Sequence, residues 1–93
     1  MSYRILKTPS FNKSAKKVLK KHPHLKAEIQ QRVAILAENP LHPKLKTHKL
    51  KGSLKEFWSF SIEYDMRILF QYVEHEGDQA ILLNTIGNHD DVY

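Results

Sequence analysis

The 93-residue sequence contains no cysteine, which excludes a disulfide framework and any thiolate metal site. That absence fits a reducing compartment, and the cytoplasm is the expected location. No apolar run approaches the roughly 18 residues that a membrane-spanning helix needs. The opening MSYRILKTPSFNKS lacks the apolar core and small-residue cleavage site of a signal peptide, so neither a membrane role nor export by the usual route is expected. Internal repeats and low-complexity linkers are missing. So are a Gly-rich phosphate loop and the Gly-x-Ser-x-Gly elbow of serine hydrolases. The pairs His22-x-His24 and His89-Asp90-Asp91 offer too few converging ligands for zinc, and no metal or small-molecule cofactor is expected.

Acidic residues are scarce in one half only. Residues 1–55 hold 14 Lys and Arg against two acids, Glu28 and Glu38, a balance of +12. Residues 56–93 hold one Arg against eight acids, a balance of −7, and the two make the net +5. A basic block of this kind suits a polyanion such as nucleic acid, an acidic partner protein, or simply a solvated helical face. The 41% hydrophobic content, with four Phe, four Tyr and one Trp, is enough for the modest core of one domain over residues 1–93.

Periodicity divides the chain. Tyr3–Thr8 is rich in strand formers, and Thr8 or Ser10 can cap a helix with Pro9 in its first turn. Phe11, Ala15, Val18 and Leu19 recur at helical spacing, and Pro23 ends that helix. Leu25, Ile29, Val33 and Leu36 form the stripe of a second helix, which Asn39-Pro40 stops. Residues 41–55 read as a loop with a short strand near Lys46–Leu50. Phe57–Ile62, Met66–Val73 and Ala80–Ile86 read as three strands, separated by a tight turn at Glu63-Tyr64-Asp65 and a polar turn at Glu74–Gln79. Gly87-Asn88 leaves a short tail to Tyr93. The expected architecture is α+β, with a helical hairpin covering one face of an antiparallel sheet. The other face stays at least partly open as a ligand groove.

Few residues in this frame carry chemistry. His48 follows a loop, Asp65 and Arg67 flank the start of the central strand, and His89 and Tyr93 follow the last one. Each has a plainer reading: Asp65 as a turn former, Arg67 as an ion-pair partner of Glu63 or Asp65, the two histidines as surface groups, Tyr93 as an edge-packing ring. These residue types do suit metal-free RNA cleavage. The 2′-hydroxyl beside the scissile phosphate is the nucleophile. The protein need only accept its proton, neutralise the charged phosphorane and protonate the leaving 5′-oxygen. Imidazole serves either proton transfer. A guanidinium clamps phosphate where charge grows, an aromatic stacks on an unpaired base, and lysines hold the backbone in a salt-sensitive way.

Three strings tie these residues to a known group. His48-Lys49-Leu50-Lys51-Gly52, then Phe57–Phe70 with Met66-Arg67-Ile68-Leu69-Phe70, then Ile86-Gly87-Asn88-His89-Asp90-Asp91-Val92-Tyr93 resemble the RelE/ParE toxin superfamily, and within it the YafQ-like mRNA interferases. The resemblance spans essentially the whole chain. It implies a βααβββ fold, a type II toxin–antitoxin pair and endonucleolytic cleavage of mRNA on the ribosome, which inhibits translation. Cognate antitoxin, ribosome and mRNA are then the partners. The catalytic set it implies is His48, Asp65 and His89 for proton transfer, Arg67 for charge, and Tyr93 for base stacking, with Lys46, Lys49, Lys51 and Lys55 on RNA. There are departures. Ser61 stands where YafQ-like members place a further His, Thr85 where they carry an Arg, and Trp58–Ser61 lacks the lysines of RelE itself. Two alternatives follow: a ParE-like inhibitor of DNA gyrase, or a degenerate module that binds RNA or antitoxin without catalysis.

Overall fold

Thr8 decides where the first helix begins. Its hydroxyl accepts the Phe11 N–H at 2.9 Å and Pro9 fills the first helical position, where a missing N–H is no loss. Of the two caps available in the sequence, Thr8 is the one used. The computed structural model describes residues 2–63 and 65–92, with the backbone alone at Asp90 and Asp91. In chain order it contains β1 (Arg4–Lys7), α1 (Pro9–Lys21), α2 (Leu25–Glu38), β2 (His48–Lys49), β3 (Trp58–Ser61), β4 (Arg67–His75), β5 (Asp78–Gly87) and α3 (His89–Val92). Short 3₁₀ turns at Pro43–Leu45 and Gly52–Leu54 bracket β2.

The strands form one sheet in the order β1-β5-β4-β3-β2. The consecutive pairs β2–β3, β3–β4 and β4–β5 run antiparallel, as expected. The expectation of an antiparallel sheet needs one correction: β1 pairs with β5 in parallel, Ile5 opposite Ile81. No hairpin ties β1 to another strand, so packing of the helices decides its partner, and a long crossover permits the parallel sense. A shorter correction concerns β4 and β5. The polar stretch Glu74–Gln79 is mostly strand, because Glu76 (φ 52°) and Gly77 (φ 84°) complete a two-residue left-handed turn that matches sheet twist. The short tail after Asn88 gains one element of its own, α3 over His89–Val92.

Pleating separates two faces. Phe60, Ile62, Ile68, Phe70, Ile81, Leu83 and Ile86 pack with Phe11, Leu25, Ile29 and Leu36 of the helices and with Leu45 in one buried cluster. Edge-to-face and tilted rings extend it from Phe60 through Phe70 and Tyr72 to Trp58 and Tyr3, with centroids 5.5–5.8 Å apart. Residues of the opposite parity, among them Ser59, Ser61, Arg67 and Leu69, look away from the helices, while Thr85, at the edge of β5, places its Oγ1 3.5 Å from Ser14 Oγ of α1. Leu69 is nonetheless only 3% exposed and Val92 only 8%. Because α3 lies against β4 and β5, it caps the middle of this outer face and leaves the margins open.

Candidate functional site

Register determines which sequence candidates meet. On the outer face one row runs His48, Ser59, Leu69, with Thr85 opposite Leu69. The next row runs Ser61, Arg67, Gly87. Arg67 therefore sits beside a residue with no side chain, and His89 follows Gly87 by two positions. Asp65, two positions before Arg67, is exposed at the same end of the sheet. The turn holding it is closed by Met66 N–H to Glu63 O and by Ile62 N–H to Met66 O, both 2.9 Å. Asp65, Arg67 and His89 thus share one end of the outer face. His48 shares the face but lies on the edge strand, roughly 12 Å from Arg67 between Cα atoms by strand spacing and rise. Tyr93 lies outside the described residues.

Local structure orients the imidazole of His48. Lys46 adopts a left-handed conformation, φ 52° and ψ 42°, and its carbonyl stands 3.3 Å from His48 Nδ1. A carbonyl only accepts, so Nδ1 carries the proton in this contact and Nε2 is left as the basic nitrogen. The loop itself is braced. Thr47 Oγ1 donates to Pro40 O at 2.6 Å, His42 Nδ1 accepts the Lys44 N–H at 3.1 Å, and Leu45 is fully buried.

Arg32 on α2 lies outside every sequence motif that marks the site. Its Nη1 donates to Lys44 O at 2.8 Å and to Ser61 O at 3.2 Å, while Nη2 is 3.5 Å from Glu28 Oε1. One guanidinium thereby fastens both the loop leading to His48 and the end of the strand leading to Asp65 and Arg67. The Glu28–Arg32 spacing of four on a helix was the available signal. Arg67 Nη1 also reaches Met66 O at 3.4 Å.

The lysines do not all join the site. Lys46, Lys49, Lys51 and Lys55 are exposed. Lys49, opposite Trp58 in register, is on the face away from His48, and with Lys55 it borders an open groove beside Trp58 and Tyr72. Among the described residues no group of three His, Asp or Glu side chains could hold a metal ion. No described helix is long and apolar enough to cross a membrane.

Comparison with known proteins gives the family. The family described as "Bacterial toxin of type II toxin-antitoxin system, YafQ" matches residues 3–93. The chain belongs to the YafQ family. It is a toxin of the type II toxin–antitoxin kind. The fold agrees with YafQ from E. coli strain BL21(DE3), at TM-score 0.81 and 20% identity over 98% of each chain. It also matches YafQ in the E. coli DinJ–YafQ toxin–antitoxin complex, at TM-score 0.77 and 21% identity over 100% of this chain and 99% of that one. A metal-bound toxin from Helicobacter pylori is 28% identical over 100% of both chains, at TM-score 0.71. No curated protein matches the sequence.

Proposed function

We propose that the chain, as one toxin domain over residues 1–93, is an endoribonuclease that cleaves mRNA in translation without a metal ion. The observation that carries this is the pairing of Arg67 with Gly87, with Asp65 two positions earlier in the turn before β4, His89 two positions later at the start of α3, and His48 on the same face. Arg67 clamps the scissile phosphate as negative charge builds on the non-bridging oxygens. A base, His48 or Asp65, takes the 2′-hydroxyl proton as the 2′-oxygen attacks phosphorus. The P–O5′ bond breaks and His89 supplies a proton to the departing 5′-oxygen. The products are a 2′,3′-cyclic phosphate and a 5′-hydroxyl. Tyr93 stacks on a base, and Lys46 and Lys51 beside His48 hold the strand, with Lys49 and Lys55 gripping RNA beyond the edge.

The family supports a cognate antitoxin, as in the DinJ–YafQ complex, and the +12 balance of residues 1–55 favours an acidic segment in it. The cytoplasm, where mRNA is translated, is the corresponding location. One observation favours a second reading. Ser61, opposite Arg67, and Thr85, opposite Leu69, are uncharged, which suits a toxin that binds gyrase or RNA without cleaving. Induced expression followed by mapping of mRNA ends separates the two. New ends within translated codons, absent with His89→Ala and with Arg67→Ala, support the nuclease. Arrested growth with intact mRNA and gyrase-linked DNA breaks refutes it.

A further inference from the structure

A second basic feature lies around the rim from Arg67. A cleft of about 330 Å³ opens between the C-terminal half of α1 and the ends of β4 and β5, lined among others by Lys17, Lys21, His22, Met66, Thr85 and Asn88. We propose that this cleft binds the RNA phosphate adjoining the scissile one, an inference that rests on the nuclease reading above.

The helix register creates the cleft. Beyond β1 the edge of β5 has no strand neighbour, and Ser14 Oγ takes up the Ile86 N–H at 3.1 Å. With Ser14 fixed there, positions one and two turns on, Lys17 and Lys21, stand on the same helix face over the end of β5. Neither makes an ion pair among the described residues, and among the described residues no acidic side chain lines the cleft. Charge complementarity to the helix C-terminus accounts for Lys21. It does not account for Lys17, which lies outside the last turn. Two cations beside neutral side chains of Thr85 and Asn88 make a setting for an anion, and the volume is at the small end for a ligand site.

Position selects the ligand. Met66 precedes Arg67 and Asn88 precedes His89, so the cleft begins one residue from two of the groups assigned to the scissile phosphate. Between them is Gly87, the register partner of Arg67. A strand seated on Arg67 can cross there and place its next phosphate between Lys17 and Lys21. An acidic protein segment has no comparable reason to end at this rim.

The test is a cycle between protein and RNA. Binding of a single-stranded oligonucleotide, blocked by 2′-deoxy substitution at the scissile nucleotide, is followed by fluorescence anisotropy over a salt series. Lys17→Gln/Lys21→Gln should weaken binding about tenfold and lower the slope of log K against log salt by about 0.7, the value for one single-strand phosphate. A neutral methylphosphonate on one side of the scissile linkage should weaken wild-type binding similarly and add nothing in the double variant. Lys13→Gln/Lys20→Gln removes the same charge from α1 outside the cleft and measures the nonspecific part. Equal effects of the two double variants overturn the proposal, as do additive effects of methylphosphonate and lysine loss, or no wild-type binding at low salt. Loss of antitoxin affinity with unchanged RNA binding overturns it in favour of an acidic peptide. Absence of mRNA cleavage by wild type would instead strike the nuclease reading, because this cycle needs no cleavage.

Discussion

Replacing Arg32 with Met tests whether one buried guanidinium holds the two halves of the site together. The side chain is 14% exposed and makes two charge-assisted bonds to carbonyls, at 2.8 Å and 3.2 Å. Such bonds contribute about 1.5–3 kcal/mol each. The bond at Lys44 is exposed, so water recovers part of it. The pair with Glu28, itself 26% exposed, adds under about 1 kcal/mol. Against these stands a relief. Arg32 Nε is buried without a partner, and a methionine escapes that desolvation, about 1–3 kcal/mol. The balance is a loss of about 2–3 kcal/mol, a large share of the roughly 5–14 kcal/mol expected for 93 residues. It corresponds to a Tm lower by about 10–20 °C. Urea unfolding by circular dichroism gives the global number, and amide hydrogen exchange shows where the structure loosens. Protection over residues 43–51 should fall more than in the centre of β4 and β5. A loss below about 1 kcal/mol with unchanged exchange in that loop would refute the reasoning.

Two further perturbations read other links. Ser14→Ala leaves the half-buried Ile86 N–H without its acceptor at 3.1 Å and should cost about 1–2 kcal/mol in urea unfolding; a Ser14→Gly loss far larger than that of Ala would mark helix propensity instead. Burial, and second the charge of Tyr3, raise the Tyr72 phenol above its ordinary 10.0. The folded state then keeps this proton after the unfolded chain has lost it, so stability is full below pH 10.0 and declines as pH rises beyond it. Tyr72→Phe should flatten that decline, and an unchanged alkaline limb in thermal unfolding would argue against it.

Much of the frame followed from local chemistry. Thr8-Pro9 set the start of α1, His22-Pro23 the break, and Asn39-Pro40 the end of α2, because caps and prolines act within a turn. Alternation marked β3, β4 and β5, whose inward residues are the ones in the core. The hairpin turn at Glu76-Gly77 was blurred by polar neighbours, since exposed strand ends at a hairpin tip look like turn residues. α3 was invisible because four residues carry no period, and its place depends on Leu69 and Val92 having apolar surface to cover.

By itself the sequence determined the α+β class, the helical hairpin, the basic first half and the order of the motifs that mark the family. It also supplied His48, Asp65, Arg67 and His89 as the groups with suitable chemistry. The tertiary structure alone decided that β1 joins β5 in parallel, that Arg67 faces Gly87, and that Lys49 turns away from His48. It also decided that Arg32, rather than any residue near the motifs, braces both sides of the site. The reason is physical. Caps, turns and periods depend on neighbours a few residues apart, whereas strand register and buried hydrogen bonds depend on partners 12 to 76 residues apart. Only the packing of the whole chain selects those.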